Sequence, residues 1–221
     1  MGNGCGSFRR GGSHVKDGQI EELLYQALET ELGGVQVYTT AIRCAVNEDL
    51  KEEWEKYLEE TENHVRIVTD VFAELGMNTD TETPGREIVR HKGEALIKSM
   101  EMALASGDMA AAQLVAAEAV VDAETKDHAN WELIGEVAKE DKGTRAKVLQ
   151  AAYEQVEEEE DHHLYHTMGW ARELWFESLG MMAVLPPPEE QKQVKTAIGA
   201  DRAKQARGDM KKGKTKAKAS S

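Results

Sequence analysis

Four long stretches of this sequence repeat apolar residues at intervals of three and four, and that period constrains the fold more than any other feature. Such spacing lines one face of an α-helix, whereas a half-buried strand alternates every second residue. From Ile20 to Val46 the stripe includes Leu24, Leu28, Val35, Tyr38 and Ile42; from about 50 to 75 it includes Trp54, Tyr57, Val68 and Phe72, with Gly76 placed to cap the helix. Two further stretches cover about 108–139 and 144–179, and a shorter helix fits about 86–105, between the turn-rich segment 78–84 and Ser106-Gly107. Only 3 Phe, 4 Trp and 5 Tyr occur in 221 residues, so the material for strands is thin. The expectation is all-α: an antiparallel four-helix bundle made of two helical hairpins, joined by a long crossover that contains the additional shorter helix.

The ends differ from this body. Residues 1–18 are Gly-rich and aperiodic and read as a flexible leader, 19–180 as the bundle, and 181–221 as a Pro-containing, basic tail expected to be disordered apart from a short helix around 191–198. The formal charge is −14, yet residues 202–221 carry eight Lys or Arg against one Asp, about +7, which leaves about −21 on the rest. An acidic body excludes a broad nucleic-acid surface, while the tail is suited to weak, non-specific contact with phosphates. Two cysteines, Cys5 and Cys44, are too few for a disulfide scaffold or a four-cysteine iron site, and no run of about 18 apolar residues occurs. A cytoplasmic protein without a membrane segment is expected. Homo-oligomerisation is open, because no pattern on the outer helix faces identifies a symmetry.

Polar residues inside the apolar stripes are the candidates for chemistry. On a wheel of ~100° per residue, Glu31 falls within ~20° of Leu24 and Ile42. In the third long helix Glu124 shares a face with Val120 and Trp131, and His128 lies one turn on. In the fourth, within EEEEDHHLYH (157–166), Glu160 and His163 face the stripe while Glu157, Glu158 and Asp161 point outward, so the Glu-x-x-His reading 160–163 is preferred to 159–162. In the second helix His64 and Thr61 face inward, and Glu60 is the nearby carboxylate able to lean in. A buried carboxylate costs several kcal/mol unless it is protonated, paired or bound to a metal. Glutamates and histidines sent inward from four helices at one level form the composition that holds two iron or manganese ions.

These segments resemble the ferritin-like superfamily over about residues 20–178. ELGGVQVY (31–38) and EETENHVRIVTDVFAELGMN (59–78) resemble the first two helices of bacterioferritins, and DAETKDHANW (122–131) and EEEEDHH (157–163) resemble their bridging-glutamate segment and final Glu-x-x-His. EETENHV and VFAELG are also similar to bacterial stress-induced ferritin-like proteins. The resemblance implies Glu31, His64, Glu124, Glu160 and His163 as metal ligands. It departs at Thr61, where the family has glutamate, and at Trp131, where a tyrosine is usual. That departure leaves open an asymmetric site, one weak metal position or a site that has lost function.

The function expected is that of a di-iron (or di-manganese) carboxylate protein that oxidises Fe(II) or reduces O₂ or peroxide, in iron handling or oxidative-stress defence. Its ligands would be Glu31, Glu60, His64, Glu124, Glu160 and His163, with Tyr38 placed to hydrogen-bond a bridging carboxylate. The alternative is a metal-poor helical bundle acting as a stress or interaction protein, with Glu31 paired to His64 and Glu124 to His163 or His128.

Overall fold

A computed structural model describes residues 16–188 and residue 190. These form five helices: α1 (Asp17–Cys44), α2 (Glu48–Leu75), α3 (Pro84–Ala105), α4 (Met109–Glu140) and α5 (Thr144–Ser178), with no strand among the described residues. The expected helices are all present, and their ends follow capping chemistry. Asn47 accepts from the Leu50 amide at 3.1 Å, Thr83 from that of Arg86 at 3.1 Å and Asp108 from that of Ala111 at 3.0 Å. Pro84 then opens α3 at a position where its missing amide costs nothing. Gly76 closes α2 with φ 67°, in the left-handed region that favours glycine. Asp17 and Gly18, expected in the leader, already belong to α1; residues 1–15, the short helix around 191–198 and the basic segment 202–221 lie outside the described residues. No described helix is long and apolar enough to cross a membrane.

The apolar residues gather in two clusters, one at each end of the bundle. Leu24 and Leu28 of α1, Val68 and Phe72 of α2, Trp131 and Ile134 of α4, and Leu149 and Val156 of α5 form one. Tyr38 and Ala41, Trp54 and Tyr57, Val120, and Trp170 and Leu174 of the same helices form the other. Along the chain, α1 and α5 run from the first cluster to the second, and α2 and α4 run the opposite way. Both hairpins, α1–α2 and α4–α5, are therefore antiparallel, while α2 and α4 run in the same sense. A parallel step of that kind needs a connection that travels back along the bundle, and residues 76–108, including α3, supply it.

Four contacting pairs, α1·α2, α2·α5, α5·α4 and α4·α1, close the ring, and α3 lies outside it against α1 and α4. Close approach is set by two glycines. A Cβ on Gly34 would stand 3.1 Å from Thr61 Cγ2, and one on Gly135 would meet the Tyr153 ring at 2.8 Å.

The crossover is fastened by a buried ion pair. Glu29 of α1 accepts from Arg86 Nε at 2.6 Å and from Arg90 Nε at 2.7 Å, and Arg86 also reaches the carbonyls of Thr79 and Thr81. Burial alone would raise the Glu29 carboxyl, but Arg90 and Arg86 outweigh it and hold it below the ordinary range. A depressed carboxylate adds stability above the unfolded-state pKa, and this is lost as pH falls through the folded one. Glu29→Gln leaves Arg86 buried without its counter-charge and is expected to cost about 3 kcal/mol, or roughly 6–12 °C in Tm for a chain of this size. Thermal melts at pH 7 and pH 3 should show the gap between wild type and variant narrowing at the lower pH.

Candidate metal centre

Between the two apolar clusters, each of the four ring helices contributes polar side chains to one layer. Glu31 (α1), Thr61 and His64 (α2), Glu124 and Asp127 (α4), and Glu160 and His163 (α5) are all buried, none more than 4 % exposed. Helical phase brings them there: the pairs on α2, α4 and α5 are three residues apart, so both members face inward from adjacent turns.

The side chains converge as well as being buried. His64 Nδ1 lies 3.0 Å from Glu160 Oε1 and 3.8 Å from Glu31 Oε2. His163 Nδ1 lies 3.7 Å from both Glu124 Oε2 and Glu160 Oε1. Two groups have ligand atoms mutually within 4.8 Å, His64–Glu160–His163 and Glu31–Asp127–Glu160, and Glu160 is common to both. It is thus the carboxylate that the two groups share.

The other nitrogen of each imidazole is held by a carboxylate from the opposite helix. His64 Nε2 donates to Glu159 Oε2 at 2.8 Å, and His163 Nε2 donates to Glu60 Oε2 at 2.9 Å. A donor hydrogen bond at Nε2 orients the ring and leaves Nδ1 facing the cluster, the arrangement by which metal-bound histidines are positioned. Glu60, expected to lean in as a ligand, is therefore placed at the His163 ring instead, and Lys56 Nζ holds its other oxygen at 3.2 Å. Trp131, seven residues after Glu124, donates to Glu31 Oε1 at 2.7 Å and fixes that carboxylate across the bundle.

The layer is electrostatically expensive as it stands. Burial, reinforced by Asp127 and Glu160, pushes the Glu31 carboxyl well up; burial, with Glu160 and Glu124, does the same to Asp127. Glu160 is raised to about 8 by burial and by Glu124. Burial opposes charge on His163, but Glu124 and Glu60 outweigh it and hold the ring up at about 10. The His64 ring is lowered by burial and by the charge on His163. Among the described residues, Glu31 Oε2, His64 Nδ1, Glu124 Oε2, Asp127 Oδ1, Glu160 Oε2 and His163 Nδ1 are buried with no hydrogen-bond partner. Buried polar atoms are rarely left so. Six orphaned donor atoms facing one layer, all nitrogen or oxygen, fit a pair of first-row metal ions.

A family model described as "Domain of unknown function (DUF892)" matches residues 20–161, more than half of the chain. The chain belongs to that family. No curated protein and no solved structure matches it. The DUF892 match runs through all four ring helices and takes in every inward-facing residue above except His163.

Of the residues expected from the sequence, the layer brings together Glu31, His64, Glu124, Glu160 and His163. Tyr38 is fully buried beside it, its ring edge-on to His163 with centroids 6.0 Å apart, and burial and the Glu124 carboxylate push its hydroxyl up. His128 turns away to Asp161, with Nε2 to Oδ1 at 2.7 Å. Glu157 and Glu158 are exposed, as expected from the wheel. Asp127 and Glu159 were not anticipated. The signal for Asp127 was its place one turn after Glu124, on the same face; for Glu159, its place four residues before His163, matching Glu60 before His64.

Trp131→Phe keeps most of the ring and removes the donor to Glu31. It should cost about 1–3 kcal/mol in urea denaturation of metal-free protein, and clearly less in a Glu31→Leu background. Equal costs in the two backgrounds would show that the indole–carboxylate bond contributes nothing.

Proposed function

We propose that the bundle is ferritin-like and holds two iron ions, or two manganese ions, ligated by Glu31, His64, Glu124, Asp127, Glu160 and His163. In this reading the protein, in the cytoplasm, oxidises Fe(II) or reduces O₂ or peroxide, in iron handling or oxidative-stress defence. The observation that carries it is the layer of six buried, orphaned donor atoms from all four ring helices. Support for the topology comes from the parallel step between α2 and α4, bridged by a long crossover, and from the place of DUF892 within the ferritin-like superfamily.

The ions, when bound, would supply redox equivalents and Lewis acidity. The chain supplies the setting. Glu160, shared by both ligand groups, would bridge, and Glu31 and Glu124 approach it from opposite hairpins. Glu60 and Glu159 hold the imidazoles at their outer nitrogens. Tyr38 is buried beside the layer, where the Glu124 carboxylate helps to push its hydroxyl up, and would hydrogen-bond a ligating carboxylate. The two apolar clusters close off the layer along the bundle axis and exclude water, which strengthens every charge interaction inside.

Anaerobic loading with Fe(II) followed by metal analysis tests the reading. Glu160→Ala should lose about two equivalents per chain relative to wild type, and exposing the loaded wild type to O₂ should produce a near-ultraviolet charge-transfer band that the variant lacks. Metal should also raise Tm, by about 5 °C or more when free ion exceeds the dissociation constant a hundredfold. The reading fails if iron and manganese both stay well below one per chain and Glu31→Ala changes neither metal content nor stability. That outcome would favour the metal-poor bundle, with Glu160–His64 and Glu60–His163 as simple ion pairs.

A further inference from the structure

A second cluster of ligand-type side chains lies one residue layer from the central one, and the proposed reaction does not use it. Glu53 of α2, His166 of α5 and Glu190, beyond the Pro186–Pro188 turn, offer ligand atoms mutually within 4.8 Å. Glu53 and His166 are 8 % and 7 % exposed, while the Glu190 side chain is about a third exposed. Trp170 Nε1 donates to Glu53 Oε2 at 2.6 Å, which fixes that carboxylate and turns its other oxygen free. His166 Nδ1 stands 2.5 Å from Glu190 Oε2 and 3.4 Å from the Tyr57 hydroxyl.

The simplest account of these residues is an ion pair, His166 with Glu190, that ties the chain after α5 back onto the bundle. It explains His166 and Glu190. It leaves Glu53 without a reason, because Glu53 Oε1 is buried with no hydrogen-bond partner among the described residues, beside a second carboxylate. Burial and the nearby Glu190 raise the Glu53 carboxyl to about 7, the mark of two acids crowded in a poorly hydrated space. The indole of Trp170 satisfies one oxygen only. A cation between the two carboxylates would satisfy the other and offset the repulsion.

We propose that Glu53, His166 and Glu190 form a separate mononuclear site for a divalent first-row metal ion. Two carboxylate oxygens and one imidazole nitrogen match Mn(II) or Fe(II), and three protein ligands leave positions for water, as suits a site with one partly exposed wall. The Tyr57 ring separates the two centres: its centroid is 4.3 Å from that of His163, and its hydroxyl faces His166. His162 stacks on His166 with centroids 5.0 Å apart and so helps to hold that ring in place. An ion held here would sit between solvent and the central layer.

The site does not rest on the di-metal reading, and its test is built to keep the two apart. Full-length protein carrying Glu31→Gln and Glu160→Gln, in which the central layer is disabled, should still bind one Mn(II) per chain, read as loss of the free Mn(II) electron paramagnetic resonance signal on titration. Adding Glu190→Gln, at a partly exposed position, or His166→Ala should weaken that binding at least tenfold, with helical circular dichroism unchanged. Absence of Mn(II) binding in the disabled background, or binding that neither added substitution weakens, would overturn the proposal and leave the tether as the whole role of these residues. Neither result bears on the iron content of wild type, which the preceding experiment reads.

Discussion

Four carboxylates and two imidazoles share one dry layer at the middle of the bundle, and the rest of the structure is arranged around the charge they carry. Bringing an ionised carboxylate into such a place costs several kcal/mol, and a second one nearby adds to the cost. The helices tolerate this because the layer is thin. On every ring helix the polar residues are flanked on both sides by buried apolar ones, Leu28 and Tyr38 around Glu31, Tyr57 and Val68 around Thr61 and His64, Val120 and Trp131 around Glu124 and Asp127, Val156 and Trp170 around Glu160 and His163. The two apolar ends supply the stability that offsets the strain of the middle, the usual trade when a fold carries groups that its packing alone would not select.

Most of this was legible in the sequence because it is written in helical phase. A glutamate at position 31 is unremarkable by composition and exceptional by its place on the stripe between Leu24 and Ile42. His64, Glu124, Glu160 and His163 were found in the same way. What phase cannot give is the partner across the bundle. Glu60 lies at the flank of its stripe and looked like a ligand leaning inward, yet Lys56 and His163 between them occupy both its oxygens. Glu53 and Glu190 come together only because the chain doubles back after α5, a long-range event that no periodicity records.

The two hairpins carry the same plan with one systematic difference. Each places a carboxylate four residues before its histidine, Glu60 before His64 and Glu159 before His163, and each of these carboxylates holds the histidine of the other hairpin. The outer supports are thus exchanged between α2 and α5, so neither imidazole is oriented unless the two helices are in register. This cross-bracing ties the geometry of the centre to the packing of hairpin on hairpin, and it explains why α2 and α5 need contact at this level even though theirs is the sparsest side of the ring.

The difference lies one turn further in. On α4 and α5 the inner positions hold Asp127 and Glu160; the corresponding positions on α1 and α2, three residues after Glu31 and three before His64, hold Gly34 and Thr61. These two small residues touch, since any Cβ on Gly34 would press on the Thr61 methyl at 3.1 Å. One hairpin has closed up where the other has opened and filled the space with acids. The number of inner carboxylates is therefore the four that two glutamates and two Glu-x-x-His pairs would give, with Asp127 standing in for the glutamate absent at Thr61. In the proposed reading these four acids carry charge enough for two divalent ions, shifted toward α4 and α5. The two positions would then differ: one near Asp127, Glu31 and Glu160 would be rich in oxygen, and one nearer His163 and Glu124 would have fewer carboxylates to itself. Such an uneven pair would bind its ions with unequal affinity, so a threonine at position 61 would redistribute the acids across the bundle without abolishing the site.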